Sequence, residues 1–179
     1  MTQLRPLCLL LVLFFSLPAW AGQGDAPLSP PTLISASDHD PEHLTMFVTH
    51  FFRWWVYNGI RYYETNSHTK EGKAVSKERE ETLKKTLTPV LWETYKNSEG
   101  DVDIDDPILP WSDFQDNWRN TAFSQIVTLQ DHTATLIVSF PRYQVSDSPA
   151  DTPSQLRVLL QVQGGTWRIG EVRDVTYRD

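Results

Sequence analysis

Between Leu44 and Trp55 the apolar residues Leu44, Phe47, Val48, Phe51, Phe52 and Trp55 recur three and four positions apart, the spacing of one face of an α-helix. Thr45, Thr49, Arg53 and Tyr57 fall largely off that stripe. The segment Asp40-Pro41-Glu42 stands in front of it. Asp40 can cap a helix, Pro41 suits a first position whose N–H has no intrahelical partner, and Glu42 complements the positive end of the dipole. The pattern predicts a helix from Pro41, with Asn58-Gly59 as its stop.

Residues 65–74 (TNSHTKEGKA) are polar and read as a loop. Ser76 then caps the charged segment KEREETLKK, and Thr88-Pro89 forms a second cap with proline at the first helical position. Leu83, Leu87, Val90, Leu91 and Tyr95 are expected to face inward from these two short helices. Asn97 to Pro110 is rich in acids and turn formers and predicts a loop.

Beyond it the period changes to two. Phe123 to Leu129 predicts a strand, and Ala134, Leu136, Val138 and Phe140 alternate with polar or outward positions in a second. After a polar stretch from Pro141 to Ser154, Leu156, Val158, Leu160 and Val162 alternate again. Gly164-Gly165 fits a two-residue hairpin turn returning through Thr166 to Val172, with Gly170 as a bulge. No internal repeat is present. Helices first and antiparallel strands after predict an α+β domain: N-terminal helices packed on a curved antiparallel sheet of about four strands, a cone open at one end and walled by aromatics.

The first 21 residues alter the picture, because they read as an export signal. Arg5 supplies the positive start, Leu7 to Leu17 the apolar run, and Ala19-Trp20-Ala21 the small-x-small cleavage pattern. The expected organisation is a signal at 1–21, a Pro/Ser/Gly tether at 22–38 and a folded domain at 39–179, working in the periplasm. The single cysteine, Cys8, lies inside the signal, so the remainder has neither a disulfide nor a thiolate ligand or nucleophile. A formal net charge of −7 argues against nucleic acid and anionic membrane surfaces as partners.

Candidate chemistry is sparse. Asp101, Asp103, Asp105 and Asp106 alternate like the opening of a calcium loop, but Asp106 stands where glycine is needed and Ser112 where a bidentate glutamate is needed. His39 and His43, four apart beside Asp38 and Asp40, suggest zinc; His39 precedes the predicted cap and no third ligand follows. We therefore expect no metal and no cofactor. Trp54-Trp55 with Tyr57, Tyr62 and Tyr63 forms either core or a stacking platform for a ligand. No nucleophile elbow, metalloprotease motif or phosphate-cradling glycine loop appears, and His50 and Asp113 are the nearest acid–base candidates.

The order of several segments resembles a known family. These are the aromatic helix MFVTHFFRWWVYN, the Leu87-Thr88-Pro89-Val90-Leu91 helix start, Asp105-Asp106-Pro107 followed by Phe114-Gln115-Asp116, and the terminal GGTWRIGEVR strand. Together they resemble the exported bacterial domains of unknown function that include YbjP-type envelope lipoproteins, over about Glu42 to Tyr177. The resemblance implies the NTF2-like (cystatin-like) fold and supplies no catalytic residues. Two departures stand out: the lipidated cysteine of that family is missing here, and Ile108 replaces the usual aromatic after Asp-Pro.

The resulting expectation is a non-catalytic binding domain, its surface at the open end of the cone around Trp54, Tyr62, Trp111 and Trp118. The expected partner is an envelope protein or a small amphiphilic ligand, and a homodimer is compatible with an exposed sheet face. Two alternatives accompany it: an immunity or inhibitor protein against an effector delivered to the periplasm, and a small dehydratase or isomerase using His50 or Asp113.

Overall fold

The computed structural model describes residues 27–98, 106–109, 117–141 and 153–176. Among the described residues four helices precede four strands: α1 (Pro41–Glu64), α2 (Lys70–Thr86), α3 (Pro89–Ser98), α4 (Trp118–Thr121), β1 (Phe123–Leu129), β2 (Thr133–Phe140), β3 (Ser154–Gln163) and β4 (Thr166–Asp174). The strands form one antiparallel sheet in the order β1-β2-β3-β4. The architecture is α+β, helices packed on a four-stranded antiparallel sheet, as the change of period predicts.

Helix α1 begins where expected, with the Asp40 carboxylate accepting from the Glu42 N–H at 2.8 Å and Pro41 in the first turn. It does not stop at Asn58-Gly59, which are both buried, but runs on to Glu64. Tertiary packing on both sides of the helix outweighs the local stop signal. Helix α2 likewise starts six residues before the expected Ser76 cap. Thr69 caps it by accepting from the Gly72 N–H at 3.0 Å, so only 65–69 of the predicted loop is non-helical. Gly72 permits this turn, because a Cβ there would stand 2.2 Å from the Asn66 carbonyl oxygen. Helix α3 has the predicted cap, Thr88 accepting from the Leu91 N–H at 3.4 Å. Val90, expected to face inward, is 76 % exposed.

The core lies between the α1 stripe and the inner face of the sheet. Leu136, Val138, Leu156, Val158 and Leu160 are all fully buried against Phe47, Phe51 and Phe52 of α1 within one apolar cluster. Phe52 meets Phe140 edge to face, centroids 5.8 Å apart. The β3–β4 hairpin turns on Gly164 and Gly165 with φ of 60° and 79°, the left-handed pair a tight hairpin requires. The register of β3 and β4 slips between Leu159 and Leu160, leaving Gly170 as the extra residue of a bulge.

The stretch expected as a tether is structured from Pro27 onward. Ser35 bridges Thr166 antiparallel, Trp167 N–H donates to the Ile34 carbonyl at 2.9 Å, and Ala36 N–H donates to the Gly165 carbonyl at 2.9 Å. The segment thus covers the start of the β4 edge, and further along Thr88 N–H donates to the Ile169 carbonyl at 2.9 Å beside the parallel bridge of Leu87 to Ile169. Composition alone did not show this, because backbone pairing to an edge asks little of side chains.

Two histidines fasten the end of this strap. His39 places Nε2 2.8 Å from the Asp131 carbonyl and Nδ1 3.3 Å from the Ser37 carbonyl. Carbonyls only accept, so both bonds coexist only in the imidazolium. His43 pairs with Asp38 at 2.8 Å, and Asp38 also accepts from the Asp40 N–H. The Asp131 carbonyl raises the pKa of His39, and the Asp38 carboxylate raises that of His43. The Asp40 N–H, then His43, lowers that of Asp38. A raised histidine pKa stabilises fully below the ordinary value of 6.5 and is lost as pH climbs through the folded value. A lowered Asp pKa stabilises above 3.8 and is lost as pH falls through the depressed value. The fastening is therefore complete between roughly pH 4 and 6.5. Hydrogen exchange at Ala36 and Trp167 should accelerate beyond the intrinsic trend between about pH 5.5 and about pH 8. His39→Gln with His43→Gln should remove that excess. Protection that tracks the intrinsic rate in the native chain would contradict this reading.

Candidate functional site

The residues expected at one open rim occupy different settings. Trp54 is fully buried, its indole N–H donating to Glu78 Oε1 at 3.4 Å, and Trp118 is 2 % exposed, its indole bonded to the Pro141 carbonyl at 2.7 Å. Neither offers an accessible ring face. Trp111 lies outside the described residues. Tyr62 is at the surface, 38 % exposed. His50, on α1, donates through Nε2 to the Ser29 carbonyl, and Asp113 lies outside the described residues. His39 and His43 hold separate partners and do not converge on a common point. Among the described residues no group of three His, Cys, Asp or Glu is arranged to hold a metal. Of the acidic run only Asp106 is described, and its carboxylate accepts from the Ile108 and Leu109 N–H groups at 2.7 and 3.2 Å.

Tyr62 belongs to a cavity of about 200 Å³ between the C-terminal half of α1, α2 and α3, lined also by Ser76, Arg79, Glu80, Trp92, Tyr95 and Lys96. Its centre is Arg79. The guanidinium carbon stands 3.8 Å over the Trp55 ring centroid, 5.3 Å from that of Tyr62 and 5.9 Å from that of Tyr95. Arg79 Nε donates to the Tyr95 hydroxyl at 3.0 Å. The Trp55 contact and this bond position the guanidinium, and the two Nη groups have no hydrogen-bond or ion-pair partner among the described residues. Asp106 is near enough to feel the Arg79 charge, yet burial is the larger effect and raises its pKa.

The surroundings extend the same chemistry. Trp92 and Tyr95 stack with centroids 5.8 Å apart, and Lys96 Nζ stands 5.8 Å over Trp92. Trp92 also lines a neighbouring hollow of about 610 Å³ with Glu81, Lys84, Lys85, Pro89 and Arg168, three cations against one acid. Residues 70–98 carry seven lysine or arginine residues against five glutamates, a local positive excess in a chain of net charge −7. This face presents fixed cations beside aromatic planes, an arrangement that accepts carboxylates and flat apolar groups. No histidine or cysteine lines the cavity.

Sequence reasoning named Tyr62 and missed Arg79. A signal was available: Val75, Arg79, Leu83 and Leu87 are spaced by four, so Arg79 sits on the apolar stripe of α2. A cation at such a position needs aromatic or anionic company.

No protein-family model matches the sequence, and no curated protein matches it. Among solved structures it is similar to a chain in the crystal structure of the type VI native effector–immunity complex Tae3–Tai3 from Ralstonia pickettii. The TM-score is 0.49 at 16 % identity, over 77 % of this chain and 97 % of that one. Among the described residues, no helix is long and apolar enough to cross a membrane.

Proposed function

We propose that the protein is an exported, non-catalytic interaction domain that binds a protein partner through the face formed by α2 and α3. The observation that carries this reading is Arg79, its guanidinium carbon 3.8 Å over the Trp55 ring and both Nη groups without a hydrogen-bond or ion-pair partner among the described residues. A pre-oriented fork of this kind recognises a carboxylate bidentately at little entropic cost. Trp92, Tyr95 and Tyr62 supply the aromatic surface in which interface energy concentrates.

Capture on the immobilised full chain, with the retained protein identified by mass spectrometry, tests it. Arg79→Gln should weaken retention by about tenfold or more, the worth of a charge-assisted pair, and an acidic peptide should compete where a basic one does not. Equal retention by a folded Arg79→Gln variant would refute the assignment. The narrower reading, an immunity or inhibitor protein, rests on small size, the expected export signal and the net charge of −7. A toxin encoded immediately upstream, neutralised by this chain but not by Arg79→Gln, would establish it.

A further inference from the structure

A second cavity, of about 620 Å³, lies on the other side of α1, between that helix and the strap. Its wall is mainly apolar: Leu28, Leu33 and Ile34 from the strap, Met46 and Phe47 from the helix. Met46 is 61 % exposed although it opens onto this apolar surface. His43, Met46, His50 and Arg53 recur three and four apart along α1, so the groove follows the helix axis for about 15 Å at 1.5 Å per residue. The strap is fixed along its length by the Ile34 and Ala36 bonds to the β3–β4 hairpin and by His50 to Ser29, so the groove is formed before any occupant arrives.

Arg53 stands at the C-terminal end. It is half-buried, its Nε donates to the Ala122 carbonyl at 2.7 Å, and its two Nη groups have no hydrogen-bond or ion-pair partner among the described residues. Burial alone lowers its pKa, and no carboxylate offsets the desolvation. Asp38, the acid in the same lining, is already occupied by His43 and the Asp40 N–H. A partly desolvated guanidinium without a counter-charge at one end of an apolar channel is an incomplete ion pair.

We propose that this groove binds a single-chain amphiphile with an anionic head, its hydrocarbon lying along Met46 and Phe47 and its head paired with Arg53. The volume falls within the range of small-molecule sites, and the length suits a medium-length acyl chain extended along the helix. The site is separate from the Arg79 cavity and stands without it.

Titration calorimetry of the full chain with monomeric dodecanoate tests the proposal, with dodecyltrimethylammonium as the charge control and anionic phospholipid vesicles as the bilayer control. One site for dodecanoate is expected, with no measurable binding of the cationic amphiphile and no vesicle association. Arg53→Gln should weaken dodecanoate by about tenfold or more, and Arg79→Gln should leave it unchanged. Arg53 also ties α1 to Ala122, so the exposed position supplies a second variant: Met46→Glu should abolish binding with an unaltered melting curve. Absence of dodecanoate binding by the native chain would overturn the proposal. So would equal binding of the cationic amphiphile, vesicle association that outcompetes the monomer, or full binding by Met46→Glu.

Discussion

Trp54→Ala is expected to destabilise the domain by about 3–5 kcal/mol in denaturant titration, the cost of removing a large aromatic from a closed core. The indole has no accessible surface and lies within 6.5 Å, centroid to centroid, of both Phe51 and Trp55. Its N–H is also the donor to Glu78, whose other oxygen accepts from Arg61 at 3.4 Å, so the deletion leaves a half-buried carboxylate with one partner fewer. Trp54→Phe should recover most of the packing and none of the hydrogen bond, landing between the two. A loss below about 1 kcal/mol for Trp54→Ala would mean that the indole is not in the core.

Asn58→Leu is expected to move stability the other way. Asn58 is fully buried in α1, and neither its amide nitrogen nor its amide oxygen has a hydrogen-bond partner among the described residues. Burying such a group costs about 1–3 kcal/mol, and leucine has the same branched set of four side-chain heavy atoms without the polar ones, at a larger volume that the site must accommodate. A gain of about 2 kcal/mol is expected, read as a rise of several degrees in melting temperature. A loss of similar size would mean that the bulkier side chain overpacks the site or that an internal water bridges the amide. The same residue explains why the sequence points to an earlier helix end, since Asn-Gly in sequence is a stop and Asn58-Gly59 in the fold is an interior turn of α1.

The strands were the most legible part. Alternation along 133–140 and 156–162 names the buried apolar residues of β2 and β3 except that Val162 is half-buried, it misses the buried Ser139 and Ser154, and Gly164-Gly165 names the turn between β3 and β4. That signal is strong because one face of the sheet is core and the period is short. Helix boundaries were less so. The stripe ending at Trp55 accounts for the side of α1 that meets the sheet, while Trp54 and Val56 are buried in addition. The burial of Trp54 involves α2, which supplies Glu78 to its indole and whose first turn rests on Gly72 approaching the Asn66 carbonyl, a through-space fact that no periodicity encodes. The two cationic sites were hidden for a related reason. Arg79 sits in a segment with the composition of a charged helix face, and Arg53 lies off the apolar stripe of α1. What distinguishes each from a surface arginine is the set of neighbours that the fold brings to it.

The pairing of residues 34–36 with β4 also acts as a guard rail. An unpaired strand margin invites another copy to add on, and here residues 34–36 occupy the start of that margin while Leu87 and Thr88 occupy it at Ile169. A shortened chain that begins at Pro41 would bare the rim of β4 at Thr166 and Trp167 while keeping the Leu87–Thr88 pairing at Ile169, so association between molecules should start at that uncovered end.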